Sequence, residues 1–81
     1  MDNTKYPEQA KRDKISGKVS VKFVIEKDGS IADPVVVRSV DPYLDKEALR
    51  VVKSMPKWKP GKQRGKPVRV SYTVPVIFKL Q

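Results

Sequence analysis

Residues 17–40 read Gly-Lys-Val-Ser-Val-Lys-Phe-Val-Ile-Glu-Lys-Asp-Gly-Ser-Ile-Ala-Asp-Pro-Val-Val-Val-Arg-Ser-Val. Val19, Val21, Phe23 and Ile25 alternate with Lys18, Ser20, Lys22 and Glu26. That period of two belongs to a strand with one face buried. Asp28-Gly29 follows, the pair that supplies positive φ at a tight hairpin turn, and Ile31 to Val40 returns as a second strand.

Working outward, Asp41-Pro42 reads as a cap with proline in a helix's first turn. Leu44, Ala48, Val51, Val52 and Met55 then form one apolar stripe, and Pro56 ends it. On the other side, Tyr6-Pro7 opens a short helix expected from Pro7 to about Lys14, with Tyr6, Ala10 and Ile15 packing inward. Residues 56–67 hold three prolines, two glycines and five basic residues around Trp58, without a helical or strand period. They are expected to form a loop anchored by the tryptophan. From Val68 to Leu80 every even position is apolar, which predicts a third strand. At ~3.3 Å per residue it spans about 43 Å, longer than either hairpin strand needs, so part of it is expected to lack a neighbour within the domain.

Proline sets the strand order. Pro34 marks the second strand and Pro75 the third, and proline is tolerated at sheet edges but not in a central strand. The proline-free first strand therefore belongs in the middle. The expected fold is two-layer α+β: a three-stranded antiparallel sheet of order 2-1-3, two helices on one face, connectivity αββαβ.

The chain has 81 residues, enough for one domain. It has no cysteine and no histidine, which excludes disulfides, thiolate or imidazole metal sites, and Ser-His or Cys-His nucleophile pairs. No catalytic residue, metal site or cofactor is expected. The net charge is +9, and all nine acidic residues lie at or before Glu47, where nine basic residues balance them. The whole excess falls between Ala48 and Gln81. Lys57, Lys59, Lys62, Arg64 and Lys66 concentrate it into a patch that would attract a polyanion.

Gly61 to Lys66 only superficially imitates a phosphate loop: it is one residue short, and Pro67 stands where Ser or Thr is needed. Asp41, Asp45 and Glu47 at a helix start read as capping and dipole partners rather than an acid/base pair. Trp58, Tyr72 and Phe78 are read as core aromatics in preference to a base-stacking platform. The third strand is the sharper signal. An edge strand accepts an extended peptide through its backbone, so Val68, Arg69, Val70, Ser71, Tyr72, Thr73, Val74, Pro75, Val76, Ile77, Phe78 and Lys79 are the candidate partner-binding residues. The competing reading is an ordinary edge protected by Arg69, Pro75 and Lys79.

Several features together match one family. Tyr6-Pro7 opening a helix, Gly17-x-Val19-x-Val21-x-Phe23, Asp28-Gly29, Leu44-Asp45 with Ala48, Trp58-x-Pro60-Gly61 and a last strand ending in Phe78 resemble the C-terminal domain of TonB, the bacterial energy transducer. The likeness runs from Tyr6 to Leu80, and Met55 to Val68 looks especially like TonB family proteins of Bacteroidetes-type bacteria. It implies a structural role for Tyr6, Pro7, Gly17, Asp28, Gly29, Trp58, Pro60 and Gly61. Residues 6–81 would form the domain, and residues 1–5 a disordered remnant of a linker or of a cloning start.

The resemblance also implies a non-enzymatic, periplasmic module of a protein anchored in the inner membrane. It would grasp the TonB box of outer-membrane transporters and transmit force from the proton-driven motor complex. The transporter would then admit chelated iron, cobalamin or glycans. The basic stretch would help approach to acidic residues near the box or to anionic peptidoglycan, and a strand-swapped homodimer is a further expectation. The alternative is a nucleic-acid or anionic-polymer binding module whose footprint is Lys57 to Arg69, although the leading reading expects no nucleic acid. In well-known relatives the stretch before Tyr-Pro carries glutamines linked to transporter contact. Here it reads Asn3-Thr4-Lys5, and no site role is carried over.

Overall fold

A computed structural model describes residues 5–80. The elements run α1 (Glu8–Arg12), β1 (Gly17–Ile25), β2 (Ile31–Arg38), α2 (Pro42–Lys53), β3 (Gly61–Gln63), β4 (Lys66–Val68) and β5 (Val70–Phe78). The main sheet is antiparallel with order β2-β1-β5, the expected order 2-1-3. Val19, Val21, Phe23 and Ile25 of β1 are buried together with Val76 and Phe78 of β5. Ala10 of α1 and Leu44, Ala48 and Val52 of α2 complete the same cluster.

Two expectations are corrected. The stretch read as a loop contains a second, two-stranded sheet, β3 with β4, in register Gly61↔Val68, Lys62↔Pro67 and Gln63↔Lys66. Arg64 and Gly65 turn it with φ of 53° and 78°, the paired positive angles of a tight hairpin. Strands this short and polar carry no readable alternation. The chain-order pattern is therefore αββαβββ. The last strand is also shorter than expected: Val68 belongs to β4, and β5 begins at Val70. All of β5 is matched, because Gly17↔Phe78 through Ile25↔Val70 pair in nine consecutive steps. No described part of β5 overhangs β1.

The first helix closes before Lys14. Ile15 N–H donates to Ala10 C=O at 2.8 Å and Lys14 N–H to Lys11 C=O at 3.2 Å, with Lys14 at φ 55°. This is a Schellman ending that carries lysine where glycine is usual. Tyr6 Oη donates to the Ile15 carbonyl, and its ring meets Phe78 edge-on at 5.6 Å. Lys5, expected to belong to the N-terminal remnant, donates its backbone N–H to Glu47 at 2.7 Å. Residues 1–4 of that remnant lie outside the described residues.

Asp41 caps α2 as expected, accepting from Tyr43 N–H at 2.9 Å and Leu44 N–H at 3.3 Å. Asp45 accepts from Ser39 Oγ and Val40 N–H. Arg50 donates to both Glu47 oxygens at 2.8 and 2.7 Å. All three acids are thus occupied by structural partners. Arg50 first, and the Lys5 amide second, hold the Glu47 carboxyl below the ordinary glutamate range.

Two outcomes are expected. Lys14→Gly relieves a left-handed lysine costing ~1–2 kcal/mol, less the backbone entropy of glycine, so it should raise Tm by about 3–5 °C in a thermal melt. Because folding lowers the Glu47 pKa, its stabilisation is full above the unfolded value of ~4.3 and is lost as pH falls through the lower folded value. Melts of Glu47→Gln between about pH 6 and pH 2 should show a flatter acid limb than the parent; superimposable limbs would exclude this linkage.

Candidate strand-docking edge and basic hairpin

The two sheet edges are built differently. Along β2, pairing with β1 jumps between Ser20↔Arg38 and Val21↔Val36, and again between Lys22↔Val35 and Val24↔Ala32. Each jump inserts one extra residue into β2, and the second holds Asp33 at φ 52° before Pro34. Pro34 thus sits in a bulge, where a missing donor is tolerated. Along β5 the register never shifts, and no described strand covers its other side. Tyr72 and Ile77 on this strand are 48% and 56% exposed.

The candidate residues therefore divide. Val70 to Phe78 form one continuous edge, Val68 lies in the hairpin, and Arg69 joins the two. Val76 and Phe78 turn their side chains into the core, which closes those side chains to a partner. Arg69 Nε donates to Glu26 Oε1 at 3.1 Å and stands 3.0 Å from Oε2 in an ion pair. Lys79 lies just past the end of β5.

The aromatic residues serve the core. Trp58 packs on Phe23 at 5.4 Å and on Tyr72 at 5.4 Å, while Phe23 and Tyr72 stand 6.0 Å apart. Phe78 is 3% exposed and engaged with Tyr6, so it is closed to any base. Trp58 is positioned by the β1–β2 turn: its N–H donates to Gly29 C=O at 2.8 Å. A Cβ on Gly29 would stand 2.2 Å from the Trp58 carbonyl oxygen, and Gly29 also has φ 88°. The sequence pairs Asp28-Gly29 and Trp58-x-Pro60-Gly61 are therefore two halves of one contact.

Asp28 accepts from Ser30 Oγ at 2.6 Å and Ser30 N–H at 2.9 Å, and Lys57 stands 3.9 Å away. These partners, Ser30 first, hold its carboxyl below the ordinary aspartate range. Of the predicted basic patch, Lys57 is thus paired, whereas Lys59, Lys62, Arg64 and Lys66 have no ion pair among the described residues. The hairpin carries Lys62, Arg64 and Lys66 beyond the main sheet. Lys27, which was not singled out from sequence, lines a cleft together with Arg64 and Lys66. Only the folded turn brings it there. Among the described residues no group of acids, histidines or cysteines suits a metal ion, and no helix is long and apolar enough to cross a membrane.

Residues 2–80 match the family model of the Gram-negative bacterial TonB protein C-terminal. The chain belongs to this family. The TonB C-terminal domain of Pseudomonas aeruginosa, solved by NMR, is 32% identical, superposes with a TM-score of 0.71, and is matched over 100% of this chain and 82% of that one. Two NMR structures of the Helicobacter pylori TonB C-terminal domain are each 29% identical. One gives a TM-score of 0.77 over 99% of this chain and 72% of that one; the other gives 0.71 over 96% and 82%. No curated protein matches the sequence. Membership in the TonB C-terminal family carries an energy-transducing, non-catalytic role and an association with TonB-dependent transporters. TonB C-terminal domains are periplasmic.

Gly29→Ala tests the contact that holds Trp58. It should lower stability by at least ~2 kcal/mol, seen as a fall in Tm of about 10 °C, with the tryptophan fluorescence shifted to the red. An alanine variant that melts with the parent would mean that the turn and Trp58 separate without cost.

Proposed function

We propose that this domain binds the TonB box of an outer-membrane transporter as a strand added to the free edge of β5. Force derived from the proton motive force then passes through that junction to the transporter. One observation carries the reading: β2 is an edge broken by two bulges and Pro34, whereas β5 is an edge of unbroken register. Added strands need evenly spaced donors and acceptors, and a bulged edge does not present them.

Pro75 shapes the grip. In a ladder of unbroken register its missing donor is cheapest on the open side, and Ser71, Thr73 and Ile77 share that side by the two-residue repeat. The partner strand forgoes one bond there, worth ~0.5–1.5 kcal/mol net, so pairing concentrates on the half around Ser71 and Thr73. Backbone pairing reads little sequence, which suits one domain serving several transporters under load. The longer protein would meet the motor complex through an inner-membrane anchor, and import would extend to chelated iron, cobalamin or glycans. The same regular edge suits strand exchange between two copies.

An amide-resolved NMR titration with a TonB-box peptide at ~150 mM salt, which screens surface charge beyond about 8 Å, tests the reading. Shifts should fall on alternate amides of Val70 to Phe78 and persist when a short DNA duplex competes. Thr73→Pro, which removes one outward donor, should weaken binding about three- to tenfold while the β1–β5 amides keep their parent pattern. Unchanged affinity in a folded Thr73→Pro variant, or shifts confined to Lys57 to Arg69 and displaced by DNA, would overturn strand addition in favour of a polyanion module.

A further inference from the structure

The strand-addition reading accounts for β5 but leaves the cations at one end of it unused. A cleft of about 470 Å³ is lined by Lys27, Gln63, Arg64, Lys66, Pro67 and Val68. Three of these side chains are cations and none is acidic, and Lys27, Arg64 and Lys66 have no ion pair among the described residues. The adjoining cleft of about 460 Å³, lined by Glu26, Lys27, Asp28, Ser30 and Arg69, differs in that Arg69 is already matched by Glu26. The unmatched charge is therefore local to the hairpin side of Lys27.

The site is held in place from both ends. The Arg64-Gly65 turn sets Gln63 opposite Lys66, so their side chains share one face of the hairpin. At the hairpin root a Cβ on Gly61 would stand 2.7 Å from Val70 Cγ1, which packs the root against the first residue of β5. The cleft thus lies at the Val70 end of β5, the strand offered for strand addition.

We propose, building on the strand-addition reading, that this cleft holds an acidic peptide segment flanking the strand added to β5. Arg64 offers a planar fork for a carboxylate, and Lys27 and Lys66 act as flanking point charges. Gathering of the cations in one cleft beside the first residue of β5 favours a peptide over a flat anionic membrane. The Trp58, Tyr72 and Phe78 rings pack on other aromatic residues and none of them lines the cleft, so it offers bases no stacking surface. An acidic flank also fixes polarity, which backbone pairing alone does not. The flank must be C-terminal to the added strand if that strand runs antiparallel to β5, and N-terminal if it runs parallel.

Three synthetic peptides test this, each with the same alternating Thr-Val strand segment. One carries an Asp-Glu-Asp flank at its C-terminus, one carries it at its N-terminus, and one carries Ser-Gly-Ser. Kd and amide shifts are followed by NMR at ~50 and ~300 mM salt. One acidic peptide, and not the other, should bind about five- to tenfold tighter than the neutral one at low salt and move the amides of Lys27, Arg64 and Lys66. The advantage should shrink at high salt and vanish when Arg64→Asn is combined with Lys66→Gln, exposed changes that leave the neutral peptide's affinity unaltered.

If all three peptides shift β5 equally and the hairpin stays silent, the cleft proposal fails while strand addition stands. If none shifts β5, strand addition fails and takes the cleft proposal with it. Equal displacement of the acidic flank by a DNA duplex or by vesicles of phosphatidylglycerol, at matched charge, would show a general anion surface and overturn the peptide assignment.

Discussion

The architecture hangs on a backbone contact between two distant turns. Trp58 N–H donates to Gly29 C=O, and the approach is so close that no side chain fits on Gly29. That bond ties the tip of the β1–β2 hairpin to the segment leaving α2. It sets the indole against Phe23 and Tyr72 at the edge of the core. It also fixes where β3 begins, and hence where the basic hairpin stands relative to β5. Stability, the start of β5 and the placement of charge share this one constraint.

At the opposite end a second aromatic contact plays the corresponding part. Tyr6 closes on Phe78 and on the Ile15 carbonyl, while Glu47 gathers Lys5 and Arg50. Lys5 and Tyr6 are thereby fastened to α2 and to the end of β5. Tyr6 is thereby in direct contact with the last residue of β5.

The sheet resolves a conflict common to open sheets, in which every edge invites unwanted pairing. Bulges and Pro34 disable β2. On β5 only Pro75 interrupts the donors, and the register remains regular. One edge is thus guarded and the other kept usable. The uneven charge has the same economy: Glu26, Asp28, Asp41, Asp45 and Glu47 are taken up by caps, hydrogen bonds and ion pairs, while the hairpin cations have no ion pair among the described residues.

Much of this was legible in the chain because it rests on local rules. Period-two alternation, Asp28-Gly29, Asp41-Pro42 and the absence of proline from residues 17–25 determined the strands, the second helix and the central place of β1, since each acts within a few residues of itself. The family likeness likewise follows from the order of such local signals. Only the tertiary structure decided the rest. The β3–β4 hairpin is too short and polar to show a period, and at its root Gly61 packs against Val70. The two bulges arise from pairing with β1, a property of neither strand alone. Lys27 meets Arg64 and Lys66 because a turn and a hairpin far apart in sequence fold to one end of the sheet. Contacts of that kind depend on where distant backbones come together, which no local pattern encodes.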